Sequence, residues 1–340
     1  MNTTSISWTE KTWNPISGCT PISEGCANCY AKRMAQRLRG RCGYPADEPF
    51  RVTLHEDKLN EPLRMRKPAR VFVASMGDLF HEDVPDEFID KVFAVMALAP
   101  QHTYMVLTKR PERMRDYLSA NNVDEPSISG REALCLRLMR TAKSIDAVAY
   151  ERLGADAFHW HPEAWPQVWL GVTAENQARA DERIPLLLQT PAAVRFVSVE
   201  PMLGPVDLRH LHYQGITEID ALAGTHGLIR PHGGKCANLD WVICGGETSA
   251  KARPMHPDWV RGLRDQCQTA PVPFHFKGWG EWGPECTATA CRCQGITDNG
   301  SIREHGDKHS VTLFRVGPKA AGRLLDSKEW DEYPEVRSGD

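Results

Sequence analysis

The sequence has no hydrophobic run near the roughly 18 residues that a membrane helix requires, which excludes an ordinary transmembrane span. Its first residues, MNTTSISWTEKTWNP, lack the basic, apolar and small-residue regions of a secretory leader, so a cytoplasmic protein with no membrane partner is expected. Charge of one sign is missing too. Lys and Arg number 41 against 44 Asp and Glu, a net −3, and so there is no global basic footprint for nucleic acid. No glycine-rich dinucleotide fingerprint follows the first clear strand, no HExxH pair occurs, and there is neither an internal repeat nor a low-complexity tract. What remains is a chain of 340 residues, 41% hydrophobic, long enough for one large α/β barrel or two ordinary domains.

Seven segments share one pattern of a short apolar, β-branched run followed by polar or glycine residues and then a helical period: RVTLHED (51–57), ARVFVASMGDLF (69–80), TYMVLTKRP (103–111), VWLGVTAEN (168–176), VRFVSVEPM (194–202), DWVICGGETS (240–249) and VPFHFKGWGEW (272–282). Uninterrupted apolar runs of this length suit strands buried on both faces, as in parallel sheets. A further short strand in ISWTEKTWN brings the count to eight units. The expected fold is therefore a parallel (β/α) TIM-type barrel, complete or partial, over residues 1–283, with an open doubly wound sheet as the alternative. Two stretches break the rhythm: 121–165 reads as a largely helical insertion partly covering the barrel mouth, and 208–238 as a loop-rich one. Residues 284–340 read as a C-terminal appendage.

Eleven cysteines is an odd number, and in a long chain without a leader they are expected as thiols or metal ligands rather than a disulfide framework. Cys19, Cys26 and Cys29 are spaced C-x6-C-x2-C in the loop SGCTPISEGCANCYAKR. Two thiolates separated by two residues can share one ion or cluster, and a third from the same glycine-containing loop gives three-point ligation. Structural zinc wants four protein ligands, whereas a four-iron, four-sulfur cluster held by three leaves one iron open. The spacing leaves open a cluster, a zinc site closed by Cys42 or a distant histidine, and unrelated thiols. A second group, Cys286, Cys291 and Cys293 with His305 and His309 downstream, reads either as zinc ligands or as surface thiols. The basic run AKRMAQRLRGR (31–41) reads first as a solvated helix face.

In a barrel, the residues just past each strand converge on one mouth. Here they are Ser75, Asp78 and His81; Thr108, Lys109 and Arg110; Thr173, Glu175 and Asn176; Glu200; Gly245, Gly246 and Glu247; and Lys277 with Trp279. Such a mixture of carboxylates, amides and cations fits a polar small molecule held by several strands. Any one of them is also explained as a cap, a turn or a solvated charge. In ICGGE, paired glycines permit close approach of backbone to a ligand, and Glu247 can accept hydrogen bonds from an amino group.

Together, TWNPISGCTPISEGCANCYA, VFVASMGDLFHEDVP, VLTKRPERM, WLGVTAEN, VSVEPMLGPVDL, WVICGGETSAKARPMHPDWVRGLRDQC, PFHFKGWGEW and RVGPKAAGRLLD resemble the phage Gp37/Gp68 family of three-Cys-motif proteins of the DUF5131 type. The motif of that family is similar to that of radical S-adenosylmethionine enzymes, which use C-x3-C-x2-C. The resemblance implies a [4Fe-4S] cluster on Cys19, Cys26 and Cys29 whose open iron binds S-adenosylmethionine, with a protein reductant. It further implies cofactor contacts from Ser75, Asp78, Thr173, Glu175, Asn176, Gly245, Gly246 and Glu247, with Lys109, Glu200 and Lys277 as candidate catalytic groups. The substrate class implied is nucleic acid or a nucleotide, met by Arg33, Arg37, Arg39, Lys109 and Arg110. Two rival readings are a zinc-dependent hydrolase or nuclease built on Asp78, His81, Glu200 and Glu247, and a non-catalytic metal-stabilised binding protein of a phage or defence system.

Overall fold

The computed structural model describes residues 1–119, 130–159, 165–213, 217–227, 234–285, 292–297, 301–303 and 311–335. The main sheet has eight strands: β1 (Asn2–Thr3), β2 (Lys11–Trp13), β3 (Arg70–Val73), β4 (Thr103–Thr108), β5 (Val168–Thr173), β6 (Val194–Val199), β7 (Trp241–Gly245) and β8 (Phe274–Gly278), hydrogen-bonded in that order. All neighbours from β2 to β8 are parallel, and β1 is antiparallel to β2. Helices α1 (Tyr30–Arg37), α2 (Asp86–Leu98), α3 (Pro111–Ser119), α4 (Gly130–Ile145), α5 (Ala147–Leu153), α6 (Gln177–Gln189) and α7 (Pro257–Thr269) fill the connections. This is a curled, mostly parallel α/β sheet, a partial barrel in which β2 and β8 do not pair.

Side-chain alternation along the strands divides the interior in two. Val71, Val73, Val106, Leu170, Val172, Val197, Val242 and Phe276 belong to the core that also takes in the helices. Met105, Trp169, Phe196, Trp241 and Ile243 form a second core on the sheet's other face. That face is closed by segments outside the strands. Trp8, from the link between β1 and β2, packs 4.7 Å from the Phe72 ring and 6.4 Å from Trp241. Tyr333 lies 5.1 Å from Trp241 and 5.6 Å from His275, beneath the Arg70 guanidinium at 4.3 Å, and its hydroxyl donates to Ser7 O. The chain at 330–332 also bonds to the outer edge of β8, Phe276 N to Trp330 O and Glu332 N to Phe274 O, so the edge is not left open to other chains.

Several segments differ from the sequence reading. RVTLHED supplies no barrel strand; Thr53–Leu54 pairs antiparallel with Ile16–Ser17 beside the mouth. The run is too short and too polar to be buried on both faces. The described part of the helical insertion, α4 and α5, packs against α2 and α3 and not over the mouth, because it enters from α3 toward the amino-terminal end of β5. Asp90 of α2 anchors it, accepting from Tyr117 and Arg137. Where a loop-rich insertion was expected, residues 211–235 form a small antiparallel sheet (211–213, 217–220, 225–227 and 234–235) beside α6. Residues 282–283, 292–296, 302–303 and 311–315 form a second four-stranded sheet.

The seam makes a pH-dependent prediction. His275 is buried between Trp241 and Tyr333, with Nε2 2.9 Å from Ser7 Oγ. Burial, only partly opposed by Asp331 and Glu200, and reinforced by Arg323 and Lys277, pushes its pKa down from 6.5 to about 4. Across that window the unfolded chain binds a proton that the folded chain refuses. Stability present above pH 6.5 is therefore lost as pH falls toward 4, by at most about 1.4 kcal/mol per pH unit. Thermal unfolding of wild type and His275→Gln between about pH 7 and about pH 5 should show the steeper loss in wild type; parallel curves would remove His275 as the cause.

Candidate functional site

The three-cysteine loop follows β2 and lies across the carboxyl-terminal ends of the strands. Gly18 makes its entry possible. Its φ of +88° is left-handed, and a Cβ there would collide with the carbonyls of Phe50 and Arg51. Backbone bonds from Gly18 N to Met76 O (2.9 Å) and Cys19 N to Phe50 O (3.1 Å) then aim Cys19 at the mouth. A short 3-10 turn, Glu24–Cys26, leads to Cys29, the residue that caps α1.

Strand-end side chains pin this loop at successive points. His81, fully buried, meets Thr20 N and Oγ1 through Nε2 at 3.2 and 2.8 Å. Arg110 reaches Thr20 Oγ1 (2.8 Å) and Cys19 Sγ (3.4 Å) while paired with Asp78 (3.2 Å). Glu175 accepts from Ser23 Oγ (2.6 Å) and is ion-paired with Lys109 and with Arg183 (3.0 Å). Lys109 Nζ also contacts Ser23 Oγ (3.2 Å) and Cys26 Sγ (3.5 Å). Glu24 takes hydrogen bonds from Asn176 and Arg179. Glu247 accepts from Asn28 Nδ2 (2.9 Å) and from Arg253, whose Nη2 also donates to Glu24 O (3.1 Å).

This geometry changes what the polar strand ends do. Asp78 is saturated, its two oxygens accepting from Thr108 Oγ1, Phe80 N, Lys109 N and Arg110. Glu175, Asn176 and Glu247 likewise bind this chain's own loop. The glycines of ICGGE face protein as well: a Cβ on Gly246 would strike the Trp279 carbonyl, and one on Gly245 would sit 2.8 Å from Glu200 Oε1. Ser75 Oγ donates to Asn14 Oδ1 (3.0 Å), Thr173 O accepts from Arg183 (2.8 Å), and Trp279 Nε1 donates to Leu324 O (2.9 Å). Glu200 and Lys277 stand apart from the loop clamp. They pair at 2.8 Å, with Trp8 Nε1 and Ser198 Oγ donating to the other Glu200 oxygen, and the Lys277 side chain is 40% exposed.

Electrostatics separates the thiols. Burial, with the Asp78 carboxylate, pushes Cys19 up to about 11 against the pull of Arg110. At Cys26 burial again acts upward, but Lys109 and the hydrogen bonds from Ile22 and Ser23 outweigh it, and the thiol falls below its ordinary value. Burial also works against the charge on Glu175 and Glu247, yet Lys109 with Arg183, and Arg253 with Asn28, keep both carboxyls below the usual carboxylate range.

All three cysteines are free and half-buried. Among the described residues no three His, Cys, Asp or Glu side chains sit close enough together to share a metal ion, so the thiols do not form a finished cage. The chemistry of the donors does fit a thiolate-ligated group: three free sulfurs on one loop, two of them touching a Lys or Arg that offsets negative charge. Cys42 is exposed, with φ of 55°. Cys293 is free and half-buried, while Cys286, Cys291, His305 and His309 lie outside the described residues.

Sequence reasoning missed the loop's own anchors, Ser23, Glu24 and Asn28, and the cations behind the strand ends, Arg179, Arg183 and Arg253. One signal was present. Arg183 occupies the stripe of α6 that includes Ala180 and Leu187, where a charge demands a buried partner.

No curated protein and no solved structure matches the chain. A family model described as a protein of unknown function (DUF5131) matches residues 3–334. With nearly its whole length inside that match and the three-cysteine loop at its mouth, the chain belongs to the DUF5131 family.

Proposed function

We propose that Cys19, Cys26 and Cys29 are the protein ligands of a [4Fe-4S] cluster at the barrel mouth, and that the protein is a radical S-adenosylmethionine-like enzyme. The observation that carries this reading is the clamp: at least five strand-end side chains hold one loop of three free thiols at the carboxyl end of the sheet, where barrel enzymes keep their active sites. None of the three cysteines is fully enclosed: each is half-buried. When bound, such a cluster supplies one-electron reductive chemistry toward S-adenosylmethionine, using an electron from a protein reductant.

The chain's own groups then have distinct tasks. Lys109 and Arg110 set positive charge against the thiolates and hold the loop, which makes them positioning residues. Glu200 and Lys277 form the accessible acid–base pair of the mouth. Lys277 can donate to an anionic group of a bound molecule, and Glu200 can exchange a proton with it. Trp8 orients Glu200 from below. The zinc hydrolase reading draws less support, because Asp78 and Glu247 already accept from three or four donors of this chain and His81 is occupied by Thr20.

Anaerobic purification with iron and acid-labile sulfide analysis tests the reading. About four irons per chain are expected, with a reduced-state paramagnetic signal that S-adenosylmethionine perturbs, and iron should be lost in Cys26→Ala. Stoichiometric zinc without iron would overturn it.

A further inference from the structure

We infer that α1 and the turn after it form a docking track for single-stranded nucleic acid, which leads a substrate strand to the mouth; the inference deepens the enzyme reading above and rests on it for the word substrate. Between Tyr30 and Arg41 the chain carries Lys32, Arg33, Arg37, Arg39 and Arg41 and no acidic residue. All five cations are exposed. Their hydrogen bonds go to backbone or sulfur: Arg33 to Thr248 O (2.7 Å), Arg41 to Arg37 O (2.8 Å) and Arg37 to Met34 Sδ (4.0 Å). Among the described residues none of the five is paired with a carboxylate.

The contrast with the rest of the mouth gives this weight. Lys109, Arg110, Arg179 and Arg253 are each neutralised by a Glu or Asp within 3.2 Å. An isolated basic helix face is ordinarily explained by solvation, but solvated faces of this chain carry both signs, as α6 and α7 do. Here one sign stands alone in a chain of net −3. Arg33 and Arg37 are four residues apart, on one helix face, about 6 Å along the axis.

Tyr30 selects the kind of polyanion. It follows Cys29 directly, starts α1, and is 58% exposed, an unusual position for a large ring. An aromatic face beside a line of cations is the combination that holds single strands, with phosphates on the cations and an unstacked base on the ring. A duplex offers the same phosphates but no free base face. The loop of thiols lies one residue away, so a base stacked on Tyr30 is delivered next to the candidate cluster.

The test uses the full chain and a fluorescein-labelled single-stranded oligonucleotide of about 20 nucleotides, with binding read by anisotropy across a salt series. Five cations predict a slope of log affinity against log salt near −3.5, at roughly 0.7 per neutralised phosphate. R37S/R39S should reduce that slope by about 1.4 and weaken binding roughly 10- to 30-fold near 0.1 M salt. Tyr30→Ala should weaken it about tenfold with the slope unchanged. Removing the same charge from α4, with R131S/R140S, should leave affinity within about twofold. Equal losses in the two double variants, or a slope near zero, would overturn the track. Duplex of the same sequence binding as tightly would overturn its single-strand character, and binding only to vesicles of anionic lipid would make it a membrane surface. Because Cys26→Ala leaves α1 intact, that variant should bind the oligonucleotide as wild type does; a chain that binds iron but not the oligonucleotide refutes the track alone, and the converse refutes the cluster alone.

Discussion

Glu175→Ala should lower stability by about 3–5 kcal/mol, the range for removing one partner from a buried ion pair. Glu175 and Arg183 are both fully buried, and when the carboxylate is gone Arg183 keeps its hydrogen bond to Thr173 O and only a 4.0 Å approach to Glu182; its Nε and Nη2 already lack hydrogen-bond partners. With unfolding entropy near 2.1 cal/mol/K per residue, a chain of 340 residues should lose about 4–7 °C in Tm. The double variant E175L/R183M separates two causes. An apolar pair of similar volume removes the orphaned charge and should restore most of the stability. It cannot restore the bond from Ser23 or the pairing of Lys109, so the cysteine loop stays loose. Cys26 should then react faster with a thiol reagent, and iron loading should stay low although the melting curve recovers. Recovery of both together would mean that Glu175 supports the fold and does not position the loop.

The same residue shows how far the sequence could be read. VWLGVTAEN announced a buried strand with polar residues at its end, and the structure has β5 followed by Glu175 and Asn176. The strand was legible because both its faces are apolar, a property local to six residues. The partner of Glu175 was not, since Ser23 and Lys109 come from two other units and meet only when the strands align. For the same reason ICGGE read as a backbone surface for a ligand, while the close neighbours of its glycines are Glu200 and the Trp279 carbonyl. RVTLHED was over-read because a β-branched run of two residues satisfies a strand pattern without the flanking apolar residues that a buried strand needs. The triplet of cysteines stood out by spacing alone, but that its loop is held by hydrogen bonds from residues past four strand ends is a property of the tertiary structure.

Trp8→Ala should be the most damaging change on the inner face of the sheet, at about 3–5 kcal/mol for truncating a fully enclosed large aromatic ring. The cavity cannot collapse easily, because the ring is surrounded by strand residues, Phe72 and Trp241 among them, whose backbones are fixed by the ladder. Trp8 has a second role that packing does not cover: its Nε1 donates to Glu200 Oε2 at 3.3 Å, and Glu200 in turn holds Lys277. Trp8→Phe isolates that role. Phe retains most of the apolar surface, so its stability cost should stay near 1–2 kcal/mol, but it leaves one Glu200 oxygen with Ser198 alone. If Glu200 and Lys277 are the working pair of the mouth, Trp8→Phe should shift the pH profile of any turnover more than Phe72→Leu, which disturbs the same core without touching Glu200. A pH profile unchanged in Trp8→Phe, with both variants folded, would place the pair outside the chemistry and leave Trp8 as the plug of an incomplete barrel. The two roles belong together physically. A sheet that stops short of closure needs a side chain to fill its axis, and an indole does so while carrying a hydrogen-bond donor to the mouth, something neither Phe nor Leu can supply.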